Sequence, residues 1–153
     1  MNRRTILSIL AFALIFSLGC KKTFPDLTPP DEEKLIREYV AANHPKAIRD
    51  ESGLYYEIIN PGAGEANDIT STVNLNYTAK ILKGDQFDAG NNKSFVVQNV
   101  IRAWKIALPK IKPGGRILIF VPSSLAYGSF TPKPEIPRYA TLMFDLELIG
   151  YLK

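Results

Sequence analysis

The segment from Val100 to Leu108 limits the possible folds of this chain more than any other segment does. It has the apolar spacing of a short helix, with Ile101, Trp104 and Leu108 on one side, and Trp104 is the only tryptophan in the sequence. A helix with such an apolar stripe has to bury it. The flanking segments have the patterns of β-strands and are the available partners. The sequence therefore predicts a sheet that wraps around this one short helix.

The clearest strand pattern lies between Val73 and Ile81, where apolar and polar residues alternate. Alternation with a period of two predicts one buried and one wet face, and it places Tyr77 on the buried face. We expect Gln86 to Asp88 to return along this strand and residues 89–94 to form a loop. Further strands are predicted over Leu54–Ile59, Arg116–Val121 and Thr141–Ile149. Together these elements predict an α+β domain with an antiparallel sheet.

A long segment between the last two predicted strands, from Ser123 to Ala140, contains three prolines and is expected to be a loop. Loops of this length in compact domains usually carry function. We therefore expect part of the functional site to come from this segment.

The reactive residues exclude several classes of function. With 46% hydrophobic and 22% charged residues, the 153-residue chain has the composition of one globular domain with a short extension. Cys20 is its only cysteine and His44 its only histidine. A disulfide framework, a zinc site or a Cys/His catalytic pair cannot be built from them. We expect neither metal nor cofactor, and the net charge of +4 is too modest to indicate nucleic-acid binding.

The first 19 residues have the layout of a secretory signal peptide, with a basic start and an uncharged run from Ile6 to Leu18. A helix of that length spans about 20 Å, too short for a bilayer core of about 30 Å. The segment from Ser17 to Cys20 resembles a bacterial lipobox, which implies that Cys20 is lipidated and becomes the first mature residue. The alternative is a buried or chance cysteine in an uncleaved anchor helix.

Residues 20–30 are predicted to be a tether, because they contain three prolines and no apolar periodicity. A helix is then predicted over residues 31–45, with Thr28 and Asp31 as capping residues. Its apolar face is formed by Leu35, Ile36, Tyr39 and Val40. His44 and Pro45 end the helix, so His44 is interpreted as a helix-end residue and not as a ligand.

The segment from about residue 53 to 150 carries a series of short motifs in a fixed order. They are Tyr77, Gly84-Asp85-Gln86-Phe87-Asp88, Phe95, Val100-Ile101-Arg102-Ala103-Trp104, Lys112-Pro113-Gly114-Gly115, Leu125-Ala126-Tyr127-Gly128, Ile136-Pro137 and Leu142-Met143-Phe144. This series resembles the FKBP-type peptidyl-prolyl cis-trans isomerase family. Single motifs would be weak signals, but their common order and spacing are specific.

The resemblance implies a set of catalytic residues and a set of substrate-binding residues. The catalytic set is Tyr77, Phe87, Asp88, Trp104, Tyr127 and Phe144. The substrate-binding set is Phe95, Val100, Ile101 and Ile136. By the same resemblance, Trp104 lies under the prolyl ring, while the Ile101 N–H and the Tyr127 hydroxyl bind substrate carbonyls. Asp88 is interpreted as a residue that orients Tyr77 or the substrate and not as a general base, because isomerisation removes no proton.

The chemistry of X-Pro isomerisation suits such a pocket. Rotation loses amide resonance, which accounts for a barrier of about 18 to 20 kcal/mol. An apolar pocket strips water from the amide and holds the proline ring, while fixed donors hold the flanking carbonyls in the twisted geometry. No covalent chemistry is needed.

These observations favour an envelope-anchored isomerase that acts on proline-containing exported proteins. The alternative is a non-catalytic FKBP-fold chaperone or peptide-binding module. The resemblance also implies binding of macrolide inhibitors, although Ala103, Glu135 and Arg138 depart from the residues common in the family. By resemblance to bacterial lipoproteins, Lys21 after Cys20 implies the outer membrane, with the domain facing the periplasm.

Basic residues dominate the segment between Asp88 and Glu135, which contains no acidic residue. The basic residues are Lys93, Arg102, Lys105, Lys110, Lys112, Arg116 and Lys133. Two interpretations remain: an ordinary solvated surface, or a basic rim that attracts acidic clients or anionic headgroups.

Overall fold

The computed structural model describes residues 29–153, with side chains from residue 31 onward. The predicted signal peptide, Cys20, Thr28 and nearly all of the tether lie outside these residues. The elements are α1 (Pro29–Asn43), β1 (Ile48–Arg49), β2 (Tyr55–Asn60), β3 (Thr72–Ile81), β4 (Gln86–Val96), α2 (Arg102–Ala107), β5 (Arg116–Val121) and β6 (Leu142–Leu152). Within the described range, no helix is long and apolar enough to cross a membrane.

All six strands belong to one antiparallel sheet, in the order β1-β2-β5-β6-β3-β4. The short helix α2 packs on one face of this sheet, and its Ala103, Trp104 and Ala107 are buried there. They belong to one core cluster with alternate residues of the strands, such as Leu146 and Leu148 of β6. The predicted α+β fold, with a sheet around one short helix, is confirmed.

The opposite face of the sheet is covered by α1, the helix expected over residues 31–45. Ile36 and Val40 of α1 form a second core cluster with Leu118, Phe120 and Met143 of the sheet. Because the sheet has helices on both faces, β5 is buried on both sides, which explains why its sequence is apolar nearly throughout.

The loop predicted over residues 89–94 is wrong, because β4 runs without interruption from Gln86 to Val96. Gly90 and the two asparagines after it indicated a turn, but the strand absorbs them in an irregular pairing with β3, where Leu75 pairs with Lys93 and Tyr77 with Gly90. A cross-strand bond also holds the segment, since the Asn92 N–H donates to Asn76 Oδ1 at 2.8 Å.

Two further differences concern one short strand that was not predicted and the end of another strand. β1 is a two-residue strand that pairs with β2 and has too little pattern to be recognised in the sequence. β6 continues to Leu152, three residues beyond the predicted end, because its last residues still pair with the start of β3.

Candidate active site

A cavity of about 310 Å³ opens between α2 and the sheet. Its lining residues are Tyr77, Ala79, Phe87, Asp88, Phe95, Asn99, Val100, Ile101, Trp104, Tyr127 and Phe144. They come from β3, β4, α2 and the segment before it, the long loop, and β6. A volume near the lower end of the usual range for ligand pockets, roughly 300 to 1,000 Å³, suits one small ring with its flanking groups.

Trp104 forms the centre of an aromatic cluster at this cavity. Its ring centroid lies 5.4 Å from that of Tyr77, 5.2 Å from that of Phe95 and 5.6 Å from that of Phe144. The interplanar angles lie between 70° and 88°, so the rings meet edge to face. Phe87 extends the cluster by an edge contact with Phe144. Since Trp104 is only 5% exposed, its neighbours hold its ring in place.

The position of Tyr77 depends on Gly90 of the neighbouring strand. A Cβ atom at Gly90 would lie 2.6 Å from Cε1 of Tyr77, closer than real contacts allow. Only glycine therefore lets the Tyr77 ring lie against β4 and reach Trp104. Sequence reasoning missed this role, although the spacing between Tyr77 and Gly90 becomes informative once the two strands are paired.

Asp88 supplies the negative charge at the cavity. Its Oδ1 accepts a hydrogen bond from the Ala89 N–H at 3.0 Å, and its Oδ2 lies 3.3 Å from the Nζ atom of Lys133 in the long loop. Burial, followed by the charge of Asp88 and a hydrogen bond with its carboxylate, raises the pKa of Tyr77. Burial and the charge of Asp88 also raise the pKa of Tyr127, so both tyrosines stay protonated at neutral pH.

Several hydrogen-bond donors of the cavity wall have no acceptor within residues 29–153, and the buried indole N–H of Trp104 is one of them. The Ile101 N–H precedes the first turn of α2 and donates to no carbonyl there, although the Ile101 carbonyl accepts from Trp104 and Lys105. The hydroxyl of Tyr127 likewise makes no hydrogen bond to the described part of the chain. Both groups are available to a bound ligand.

Nine of the ten predicted site residues line the cavity, and Ile136 is the exception. Ile136 is 1% exposed and belongs to the core cluster around α2, and it is not among the residues that line the cavity. The structure adds Ala79 and Asn99 to the wall. Ala79 has the strand periodicity of Tyr77 and was predictable as inward-facing, whereas nothing in the sequence indicates Asn99.

The basic segment is partly neutralised in the structure. Lys110 pairs with Asp50, and Arg116 forms a two-pronged pair with Asp145. Lys133 pairs with Asp88, so three of the seven basic residues have acidic partners that lie outside the basic segment. Both interpretations of the segment stay open, and four basic residues have no ion pair within the described residues: Lys93, Arg102, Lys105 and Lys112.

The arrangement is an apolar, aromatic cavity with one carboxylate and with free donors that include the Ile101 N–H, the Tyr127 hydroxyl and the Trp104 indole N–H. Within residues 29–153, no group of three histidine, cysteine or acidic side chains lies close enough together to hold a metal. What these residues offer chemically is desolvation, shape and hydrogen bonding.

Comparison with known proteins agrees with this geometry. The family model for FKBP-type peptidyl-prolyl cis-trans isomerases matches residues 64–149. The chain is 38% identical over 109 residues to the FKBP-type peptidyl-prolyl cis-trans isomerase FkpA of Escherichia coli, an alignment that covers 68% of this chain and 40% of FkpA. This chain therefore matches less than half the length of that relative.

Solved structures of peptidyl-prolyl cis-trans isomerases also match this chain. The crystal structure of FkpA from Escherichia coli superposes with a TM-score of 0.71 at 35% identity, over 80% of this chain and 59% of that one. A peptidyl-prolyl cis-trans isomerase from Pseudomonas syringae gives a TM-score of 0.72 at 25% identity, over 85% of this chain and all of that one. Because the family model covers more than half of the sequence, this chain belongs to the FKBP-type peptidyl-prolyl cis-trans isomerase family.

Proposed function

We propose that this protein is a peptidyl-prolyl cis-trans isomerase that turns over X-Pro bonds in exported polypeptides. The observation that carries the proposal is an aromatic cavity over Trp104 that also contains free donors, among them the Ile101 N–H and the Tyr127 hydroxyl. In the proposed complex the proline ring lies on Trp104.

The cavity suits the twisted amide better than the planar one. Entry of the proline removes water from the amide, and a desolvated amide has less of the charge-separated resonance form that makes the bond rigid. Hydrogen-bond donors fixed by the protein fold then hold the substrate carbonyls in the twisted arrangement. These donors are already in place, so the protein does not have to reorganise during the reaction. Asp88 orients Tyr77 at the edge of the cavity, and no proton transfer is involved.

The test is a proline-peptide isomerisation assay on the wild type, Tyr127→Phe and Tyr151→Phe. Tyr127→Phe removes only the free hydroxyl, and we expect kcat/KM to fall about tenfold, which corresponds to one hydrogen bond of about 1.4 kcal/mol. Tyr151→Phe is the matched control, because that hydroxyl donates to the Ala66 carbonyl and Tyr151 does not line the cavity. It should leave kcat/KM unchanged.

If the wild-type protein does not accelerate the peptide, the isomerase proposal fails. Binding of the same peptide without acceleration would instead establish the non-catalytic chaperone or binding module. Macrolide inhibitors of the family would occupy the same cavity, so competition between a macrolide and the peptide tests that further expectation.

We also propose that the mature chain is anchored in the cell envelope by a lipid on Cys20, with the domain facing the periplasm. The lipobox-like segment before Cys20 and the proline-rich tether after it support this proposal. Mass spectrometry of the protein purified from its own membranes should find a mature chain that begins with acylated Cys20. An intact, unmodified Met1 would refute the anchor.

A further inference from the structure

A buried carboxylate links α1 to Ser123, which lies 91 positions later in the sequence. Glu32, in the first turns of α1, is only 2% exposed. Its Oε2 accepts a hydrogen bond from the Ser123 N–H at 2.6 Å, and its Oε1 accepts one from the Ser123 hydroxyl at 2.7 Å. A carboxylate is expensive to bury, so these two short bonds are what makes its position acceptable.

Ser123 in turn organises the backbone around Tyr127. It begins the short 3-10 turn Ser123–Leu125, and its carbonyl accepts hydrogen bonds from the N–H groups of Ala126, at 3.0 Å, and Gly128, at 2.9 Å. These two residues flank Tyr127 directly. All the polar groups of Ser123 are thus used, two toward Glu32 and one toward the residues on either side of Tyr127.

We propose that Glu32 is a positioning residue for Tyr127, so that α1 is a working part of the candidate active site and not only a connection to the tether. Glu32 fixes the N–H and hydroxyl of Ser123, and Ser123 fixes the turn from which the Tyr127 hydroxyl reaches the cavity. The kinetic consequence rests on the proposed isomerase function, whereas the structural consequence does not.

The competing explanation is that Glu32 only helps α1 to dock. α1 has a separate apolar anchor, because Ile36 and Val40 belong to a core cluster with Leu118, Phe120 and Met143 of the sheet. Val40→Ala therefore loosens α1 to a similar degree but leaves Glu32 and Ser123 in contact. This variant is the matched control for Glu32→Ala.

The first readout is amide hydrogen exchange, measured by NMR on the full chain. In Glu32→Ala, we expect the Ala126 and Gly128 amides to exchange at least about tenfold faster relative to the Ile119 amide of β5, which reports global opening. Val40→Ala should shift all three amides together. Equal ratios in the two variants would overturn the proposal.

The second readout is kinetic coupling. Glu32→Ala should lower kcat/KM about tenfold in the wild-type background and less than about twofold in the Tyr127→Phe background, because the affected hydroxyl is already absent there. Glu32→Gln should restore much of the activity, since its amide can still pair with both Ser123 groups. Additive losses would show that Glu32 acts elsewhere.

Two outcomes keep the test decisive. If Glu32→Ala does not fold, Ser123→Ala removes one of the two bonds and should give a smaller rise in exchange at the same two amides, while unchanged exchange there would refute the proposal. If the wild type has no isomerase activity, the proposed function fails, but the exchange ratios still decide whether Glu32 holds the turn.

Discussion

At the scale of single residues, Trp104 serves both the core and the cavity. Its edge contacts with three rings stabilise the domain, and one side of it faces the cavity. Removing the ring leaves a void between α2 and the sheet, and we expect Trp104→Ala to lower the free energy of unfolding by about 3 to 5 kcal/mol. Urea unfolding followed by far-UV circular dichroism measures this. A loss below about 1 kcal/mol would mean that the ring is not part of the core.

Asp50 provides a pH-dependent contribution to stability. A hydrogen bond from Lys110, followed by one from the Ser52 N–H, lowers its pKa from 3.8 to about 2. Because the folded pKa lies below the unfolded one, the ionised carboxylate stabilises the fold above pH 3.8, and this stabilisation is lost as the pH falls through 2. Asp50→Asn should therefore lower the free energy of unfolding at pH 7 by about 1 to 2 kcal/mol, a value reduced because the pair is partly exposed.

The measurement is urea unfolding of the wild type and Asp50→Asn at pH 7, 4 and 2. The difference in the free energy of unfolding between the wild type and Asp50→Asn should shrink toward zero at the lowest pH. Glu51→Gln, a change at an exposed neighbour, serves as the control and should change the free energy of unfolding at pH 7 by less than about 0.5 kcal/mol. A gap of constant size across this range would contradict the role of the Asp50 charge.

At the scale of elements, the pairing of β3 and β4 sets one wall of the cavity. Gly90→Ala would push the Tyr77 ring away from β4 and Trp104, and we expect it to cost about 1 to 3 kcal/mol of unfolding free energy and to lower peptide affinity. Gly150→Ala in β6 is the control, because a Cβ there meets nothing within 4 Å. Equal effects of the two substitutions in urea unfolding would exclude the close approach of Tyr77 as the cause.

The helix α1 contributes to stability through its apolar face. Ile36 is fully buried against the sheet, so Ile36→Ala should lower the free energy of unfolding by about 2 to 5 kcal/mol. Lys34 is exposed and only pairs with Glu38 at 4.0 Å, so Lys34→Ala should change it by less than about 0.5 kcal/mol. Urea unfolding, monitored by Trp104 fluorescence, measures the effect of each substitution. A negligible effect of Ile36→Ala would show that α1 is not docked in solution.

At the scale of the whole molecule, the two core clusters share one sheet. Ile117 and Ile119 of β5 face α2, while Leu118 and Phe120 face α1, so neither helix can leave without exposing a face of the same central strand. We expect one cooperative unfolding transition, in which Trp104 fluorescence and far-UV circular dichroism give the same midpoint and slope in urea. An earlier transition in circular dichroism alone would indicate that α1 unfolds separately.

The sequence alone determined the fold class and most of the site, because both depend on local patterns. Alternation fixed the faces of β3 and β6, and helical spacing placed Trp104 under the sheet. The ordered motifs then identified nine of the cavity residues through resemblance. The sequence also predicted β5 as a strand, whereas its burial on both faces was decided by the structure.

The tertiary structure decided what depends on partners distant in the sequence. Pairing with β3 turned the polar residues 89–94 into a strand and gave Gly90 its role, and packing moved Ile136 from the expected cavity wall into the core. Lys133 forms an ion pair with Asp88, and Glu32 accepts hydrogen bonds from Ser123, 91 positions away. Hydrogen bonds and ion pairs of this kind have no local periodicity, so only the folded chain brings their partners together.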